Sequence, residues 1–371
     1  MKILIEAQRI FREKKHGMDF VAIEYIKGLQ RLGGDDIIYV AAMPGPDRLI
    51  LEENENLKII ELKCPTYPLW EQVALPYLIR KIKPDVVHCT SNTAPLYCPA
   101  PLVVTLHDII FLEKRSGSGG SLYQKMGWHY RRFIVPSILK RAARIVTVSE
   151  FEASRISETS GIERDKICTV YNAVSAHFRR EQNYEEVTGR YIKEKNYIFF
   201  LGNTDPKKNS ERVILAYAEY LKRSQERYPL LIADLSTDYI DEILKRNRIE
   251  EIRSKIYAPG YIRNSDLPFV YSGAIMFLYP SLRESFGIPQ LEAMSCGTPV
   301  ISSNTSAMPE ITGGAALLTD PLSVESIANS ILEMDHKPLR DTLISMGEER
   351  VKNFSWDKSA KVLSEIYHTI N

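Results

Sequence analysis

Two doubly wound α/β domains are what this sequence predicts, on three observations. Its 371 residues exceed what one ordinary hydrophobic core supports. Short apolar runs rich in Val and Ile recur through both halves, with apolar residues on consecutive positions, as strands covered on both faces require. Segments with apolar residues at helical spacing separate those runs, the alternation that parallel sheets produce.

In the first half the expected strands are Lys2–Ala7, Ile37–Ala42, Lys58–Leu62, Asp85–Cys89, Leu102–Leu106, Arg144–Ser149 and Ile167–Val170. Between the first two, Phe20, Ile23, Ile26, Leu29 and Leu32 share one helical face, and Gly33-Gly34 ends the helix. In the second half the expected strands are Tyr197–Leu201, Pro229–Ala233, Lys255–Ala258, Ala274–Leu278 and Pro299–Ser302. The polar stretch from Phe178 to Lys195 interrupts the pattern, and a last helix covers about Trp356–Ile370. The domains are therefore expected at 1–180 and 195–352, with 353–371 as a terminal helix. Short internal repeats and low-complexity segments are absent. Two such domains facing each other place the carboxyl ends of both sheets around one cleft, the expected ligand site.

Composition excludes several classes. Hydrophobic content of 44% with 26% charged residues is that of an ordinary globular protein. No apolar run approaches the roughly 20 residues that span a bilayer. The apolar start Met1–Ala7 meets Glu6, Arg9, Arg12, Lys14 and Lys15 too soon for a signal peptide. Five cysteines without CxxC spacing argue against a disulfide framework or zinc site and for a reducing, cytoplasmic location. The net charge of +1 hides an asymmetry: residues 1–180 hold 26 Lys+Arg against 20 Asp+Glu, and the remainder 22 against 27. The excess concentrates in 113–144, with Lys114, Arg115, Lys125, Arg131, Arg132, Lys140, Arg141 and Arg144 around Trp128, Tyr130 and Phe133. That pattern is read either as a solvated helical face or as a surface for anionic lipid or a pyrophosphate-bearing acceptor, with peripheral contact at the inner membrane face. No nucleic-acid motif accompanies the charge.

Two segments carry chemistry. In Phe199–Asn209 a buried strand runs into Gly202, then a polar loop with Asn203, Lys207 and Lys208, then a helix. Such a loop aims backbone N–H groups and a helix N-terminus at an anion, and the two lysines add cations there. In Tyr279–Pro289, Gly287 permits close backbone approach and Pro289 suits the first helical position. Glu284 in the loop and Glu292 in the following helix can then face one ligand. Carboxylates accept hydrogen bonds from sugar hydroxyls, while N–H groups take phosphates.

With its E-x7-E element Glu284…Glu292 followed by Ala293-Met294-Ser295-Cys296-Gly297-Thr298-Pro299-Val300, the chain resembles the family 4 glycosyltransferases of GT-B fold. Gly260-Tyr261-Ile262, Met308-Pro309-Glu310 and Phe354-Ser355-Trp356 match as well. So do Thr105-Leu106-His107-Asp108, Thr147-Val148-Ser149-Glu150 and Tyr171-Asn172-Ala173-Val174 in the first half. The resemblance implies two Rossmann-like domains and a C-terminal helix crossing back to the first. It implies that Glu292 holds the donor ribose and that Glu284 lies beside the transferred sugar. The Phe286, Gly287 and Ile288 backbone would lie near sugar and phosphate, and Lys207 and Lys208 would bind the diphosphate with the Gly202-Asn203 loop. His107 would approach the sugar from the other domain, supported by Asp108. Gly17 would lie in a loop near the phosphates, and Tyr261 in a turn lining the base pocket. Lys207 stands where relatives often carry Arg, and a lysine lacks the bidentate fork.

The implied activity is a retaining hexosyl transfer from a nucleotide-diphosphate sugar, GDP-mannose first and UDP- or dTDP-sugars next. The acceptor would be a saccharide or a polyprenyl-pyrophosphate-linked glycan in surface polysaccharide synthesis. Without a DxD-type metal site the lysines and helix dipoles must stabilise the leaving diphosphate, so no cofactor or divalent cation is expected. The competing readings are a sugar-nucleotide epimerase or phosphorylase of similar fold, and a non-catalytic sugar-nucleotide-binding protein.

Overall fold

Two parallel sheets organise the chain in the computed structural model, which describes residues 1–112 and 122–370, the side chains of 122–125 excepted. The first sheet holds β1 (Lys2–Glu6), β2 (Ile37–Ala42), β3 (Leu57–Glu61), β4 (Val86–Cys89), β5 (Leu102–Thr105), β6 (Arg144–Thr147) and β7 (Ile167–Thr169). Its order is β3-β2-β1-β4-β5-β6-β7. The second holds β8 (Tyr197–Leu201), β9 (Leu230–Ala233), β10 (Ile256–Gly260), β11 (Ala274–Tyr279), β12 (Val300–Ser303) and β13 (Leu317–Thr319), in the order β10-β9-β8-β11-β12-β13. Chain order reverses between β1 and β4 and again between β8 and β11, and ligands of open α/β sheets bind beyond the carboxyl ends of such strands.

All twelve expected strands are present. The thirteenth, β13, is three residues long and gives no period to read. The chain divides into one unit of Met1–Asn172 with Ser355–Asn371 and another of Ala173–Phe354. The expected boundary was later. Part of the stretch read as linker folds as a short helix, Glu185–Thr188, within the second unit. There Tyr191 donates to Asp266 at 2.6 Å, so the polar side chains are spent on tertiary bonds.

Burial explains the strands. Ile3, Leu4 and Ile5 of β1 are at most 1% exposed, and Ile3 sits in register with Ile38 and Val86 on either side. The helix Gly17–Leu32 buries Ile23, Ile26 and Leu29 as the spacing required, but Phe20 and Leu32 lie outside the stripe, 49% and 44% exposed. Val21, Ala22 and Tyr25 replace them in the core. The stripe is therefore centred about one position away from the reading.

The terminal helix Trp356–His368 starts at Ser355, whose hydroxyl accepts from Lys358 N, and packs on Gly17–Leu32. Gly28 permits the close approach, since a Cβ there would lie 2.7 Å from Ala360 Cβ. Tyr25 meets Trp356 edge to face with ring centroids 5.8 Å apart. A buried polar chain completes the seam: the Tyr367 hydroxyl lies 2.6 Å from His88 Nδ1, and Thr105 Oγ1 lies 2.7 Å from its Nε2. Desolvation, with a smaller contribution from His107, pushes His88 down to about 3, so the ring is neutral and needs both hydroxyls. Tyr367→Phe should therefore cost about 1–3 kcal/mol, the loss of a bond that leaves a buried nitrogen unpaired. Urea denaturation checks it; an unchanged midpoint would remove this chain from the account of the seam.

Candidate active site

In the second unit the β8 end, its loop and the β11 loop build one polar cradle. Gly202 is buried, with its N–H donating to Ala233 O at 3.0 Å. Asn203 shapes the loop: its side-chain oxygen accepts from Asp205 N at 2.9 Å and its carbonyl from Ser210 Oγ at 2.7 Å. Asn209 then adopts φ +63 and ties the loop down, donating to Pro280 O and Pro321 O at 3.0 and 2.6 Å. Leu282 N donates to Lys207 O at 2.7 Å, which stitches the two loops together.

The two lysines diverge. Lys208 points inward and donates to Glu284 Oε1 at 2.7 Å, with its ammonium 5.1 Å from the Tyr279 ring centroid. Lys207 lies 3.9 Å from Asp205, its side chain 43% exposed. Glu284 and Lys208 are 13% and 20% exposed, so their charges are largely withdrawn from water.

Gly287 opens the helix Ile288–Ser295 at φ +92, a backbone that favours glycine. Pro289 is the second helical residue, not the first. Phe286 is buried against the Phe354 ring at 5.8 Å, fixing the strand-to-helix turn. Glu292 accepts from the Tyr271 hydroxyl at 3.2 Å, and burial raises it to about 7, the Tyr271 bond opposing. Burial pushes the Tyr279 phenol up, and the charges of Glu284 and Glu292 add to it. Tyr271 and Tyr279 escaped the sequence reading, since an aromatic residue at a helix or strand end reads first as core. Tyr261 follows the Gly260 turn and is 72% exposed.

In the first unit His107 follows β5 and is 8% exposed. Its N–H donates to Asn92 Oδ1 at 2.7 Å, and Nε2 lies 2.9 Å from Thr90 O. A carbonyl only accepts, so Nε2 carries the proton and Nδ1 is left as an acceptor. Desolvation lowers its pKa and keeps the ring neutral. Thr90 is held in turn by Glu6, whose carboxylate accepts from Thr90 N at 3.2 Å and whose carbonyl accepts from Thr90 Oγ1 at 2.8 Å. Burial raises Glu6 to about 7. Glu6 was read only as the charge that spoils a signal peptide. Asp108 Oδ1 accepts from Ile110 N at 3.2 Å and closes the turn after His107. Gly17 is the first residue of its helix, where Asp19 accepts from His16 N at 2.7 Å.

Of the basic segment, residues 113–121 lie outside the described residues, Lys114 and Arg115 among them. The described cations are spent largely on local carbonyls. Arg131 donates to Gly127 O and Arg132 to Phe111 O, with Arg132 also over the Trp128 ring at 4.7 Å. Arg141 donates to Leu96 O. Among the described residues no helix is long and apolar enough to cross a membrane.

Two family models match the chain: glycosyl transferases group 1 over residues 185–350, and glycosyltransferase family 4 over residues 16–178. The O-antigen chain mannosyltransferase B of Escherichia coli is 33% identical over 226 residues, 59% of this chain and 58% of that protein. The O-antigen chain mannosyltransferase RfbU of Salmonella typhimurium is 29% identical over 78% of this chain and 75% of its own length. The serotype-specific mannosyltransferase WbdA of Escherichia coli is 27% identical over 69% of this chain, which spans only 33% of that protein. Among solved structures, sucrose-phosphate synthase from Thermosynechococcus elongatus superposes with a TM-score of 0.75 at 18% identity, covering 100% of this chain and 98% of that one. HepE of Anabaena, in complex with UDP and glucose, gives 0.72 at 18% identity over 99% of both chains. At such identity these two structures speak for the fold alone.

Proposed function

Because this chain belongs to the family 4, group 1 glycosyltransferases, we propose that it moves a hexose from a nucleotide-diphosphate sugar to a saccharide acceptor. The observation that carries this is the inward Lys208–Glu284 pair beside the Gly287 turn. A departing diphosphate needs positive charge and N–H donors. Lys208 supplies the first, and the loop and helix N-terminus at Gly287–Ile288 supply the second. The diphosphate competes with Glu284 for Lys208. Glu284, so released, accepts from hydroxyls of the transferred sugar, and Lys207 adds charge from the rim. Glu292 takes the ribose hydroxyls, and Tyr261 borders the base. His107, neutral with Nδ1 as acceptor, receives a sugar hydroxyl.

Transfer proceeds with retention: the acceptor hydroxyl attacks the face from which the diphosphate leaves, and the leaving phosphate oxygen takes its proton. No divalent cation takes part, so excess EDTA leaves the rate unchanged. GDP-mannose is the first donor, supported by the mannosyltransferases among the relatives, with UDP- and dTDP-sugars next. The acceptor is a mannosylated or polyprenyl-linked glycan of a surface polysaccharide. A peripheral contact with anionic lipid belongs to the same proposal, supported by Met126 and Phe133, 65% and 75% exposed on the helix that bears Arg131 and Arg132.

A thermal-shift panel of GDP, UDP and dTDP tests the donor half, because a ligand bound to the folded state raises its melting point by mass action. GDP should give the largest shift, and no shift with any of the three would overturn the proposal. Glu292 adds a pH dependence. Ribose hydroxyls bind the ionised carboxylate, while in the free protein burial favours the protonated form up to about pH 7. Nucleotide affinity should therefore rise with pH through about 7 and level off above it, falling by up to about tenfold per unit below. Calorimetry on Glu292→Gln should show that component gone; an equal slope in both proteins would remove Glu292 from the ribose site.

A further inference from the structure

The carboxyl side of the first sheet carries a second polar cluster that the donor chemistry does not use. Its root is Glu71, 1% exposed, in the π-type turn Trp70–Ala74 of the helical stretch between Tyr67 and Ile82. Such turns have poorer hydrogen-bond geometry than the α-helix and gather at functional sites. Trp70 anchors this one, its indole N–H donating to Leu62 O at 2.9 Å. Glu71 Oε1 accepts from the Tyr67 hydroxyl at 2.6 Å and from the Thr93 hydroxyl. Its Oε2 accepts from Gln72 Nε2 at 2.9 Å and from the Tyr130 hydroxyl. Thr93 lies in the loop that follows β4, and Gln72 fastens the same loop by accepting from Leu96 N at 2.9 Å.

A buried carboxylate is costly, and an apolar residue would fill the same space at lower cost. What Glu71 achieves is polarity. Burial and the Glu71 charge push the phenols of Tyr67 and Tyr130 up, so both keep their protons and commit them to Glu71. The Tyr130 oxygen also accepts from Gln72 Nε2 at 2.9 Å and the Tyr67 oxygen contacts the Thr93 hydroxyl, so each half-buried phenol offers only its remaining lone pair outward. Their rings meet edge to face at 6.0 Å. Beside them the Arg9 guanidinium lies over the Tyr67 ring at 5.8 Å. Its buried Nε has no hydrogen-bond partner among the described residues. Its charge acts on Glu6 and on His107, lowering the pKa of both.

Guanidinium offers donors only, and these phenols offer acceptors only. A phosphodiester or fully ionised phosphate has no proton for the phenols, and a cation is repelled by Arg9. A pair of adjacent sugar hydroxyls satisfies both, donating to a phenol and accepting from the guanidinium, while its C–H face lies on a tyrosine ring. We propose that Tyr67, Tyr130 and Arg9 form a saccharide platform for the acceptor's hexosyl unit, with Glu71 as the positioning residue that fixes the direction of both phenolic protons. This rests on the glycosyltransferase reading above.

The test titrates octyl α-mannoside, octyl β-glucoside and octyl β-galactoside into the full chain by calorimetry, with GDP, UDP and dTDP titrated in parallel. Arg9→Met and the Tyr67→Phe/Tyr130→Phe pair should each weaken the tightest hexoside at least about fivefold, the worth of one hydrogen bond. Glu71→Gln, whose amide competes to donate to the phenols, should weaken it similarly. Nucleotide affinity should stay within about twofold in all of them. Arg9 is not part of the packed core, so Arg9→Met keeps the test open if the tyrosine pair destabilises the fold. Unchanged hexoside affinity in Arg9→Met overturns the platform, as does a wild type that binds none of the three hexosides. A parallel loss of nucleotide affinity overturns it too, because Arg9 then serves the donor. Hexose transfer from GDP-mannose, UDP-glucose or dTDP-rhamnose to a mannosylated acceptor reports separately on the underlying reading. Transfer with unchanged hexoside binding in the variants sinks the platform alone, while no transfer from any of the donors sinks the glycosyltransferase reading.

Discussion

Lys208→Ala is expected to lower kcat by about 10²–10³-fold, the usual loss when a pre-placed electrostatic partner of a developing anion is removed. The lysine is fixed before any donor arrives, because Glu284 holds it at 2.7 Å in a site that leaves it 20% exposed. In so shielded a place its charge acts on the leaving diphosphate with little screening. Removing it has a second consequence, a carboxylate at Glu284 without its cation. Breaking a fully buried pair costs about 3–5 kcal/mol, and the residual exposure of both side chains keeps this one below that range. The two effects separate in the double variant Lys208→Ala/Glu284→Gln. It should regain most of the lost stability and none of the turnover. Lys208→Arg should retain measurable transfer, since it keeps the charge. A Lys208→Ala protein with near-normal kcat would remove this residue from the chemistry.

Gly287→Ala is expected to harm both folding and donor binding. At φ +92 an L-residue carries about 1–2 kcal/mol of backbone strain. A Cβ there would also lie 2.9 Å from Gln290 Nε2 and 3.2 Å from Tyr279 Cε1. Gln290 cannot swing away freely, because its Oε1 accepts from Ser302 Oγ at 2.9 Å in the core. Relief must come from the turn itself, and overpacking of this kind costs about 1–3 kcal/mol. The sum is about 2–5 kcal/mol of stability. The N–H groups at Gly287 and Ile288 move with the turn, so GDP affinity should fall by about tenfold or more. Denaturation and calorimetry on the same protein check both parts. A variant that melts normally and binds GDP normally would mean that the turn adapts without cost.

How much of this was legible beforehand depended on how each feature is encoded. Strands covered on both faces print themselves as Val- and Ile-rich runs, so twelve of them could be read directly. The short edge strand Leu317–Thr319 has no such run. Phe20 and Leu32 share the helical spacing yet lie outside the buried stripe, because periodicity fixes a stripe only to about one residue. The extended polar stretch before Lys195 looked like a linker because tertiary partners such as Asp266 for Tyr191 are invisible in the local sequence.

The site shows the same division. Glu284, Glu292, Gly287 and the Lys207-Lys208 pair are local in sequence, and their loop-to-helix setting was readable. Which lysine turns inward was not, since it depends on Glu284, 76 residues away. Glu6 and Glu71 were overlooked for a related reason. One sits in an apolar strand, the other in a helical stretch, and only the fold brings Thr90, Thr93 and Tyr130 to them.

The most direct measurement follows the donor itself. Purified protein is given GDP-mannose, UDP-glucose or dTDP-rhamnose with a mannosylated acceptor, and nucleoside diphosphate and glycosylated product are quantified together, with anomeric configuration read by NMR. The account predicts equimolar nucleoside diphosphate and product from one donor, GDP-mannose first, with α-configuration retained and the rate collapsing in Lys208→Ala. Nucleoside diphosphate formation that is absent for all three donors, or equal in wild type and Lys208→Ala, would contradict it.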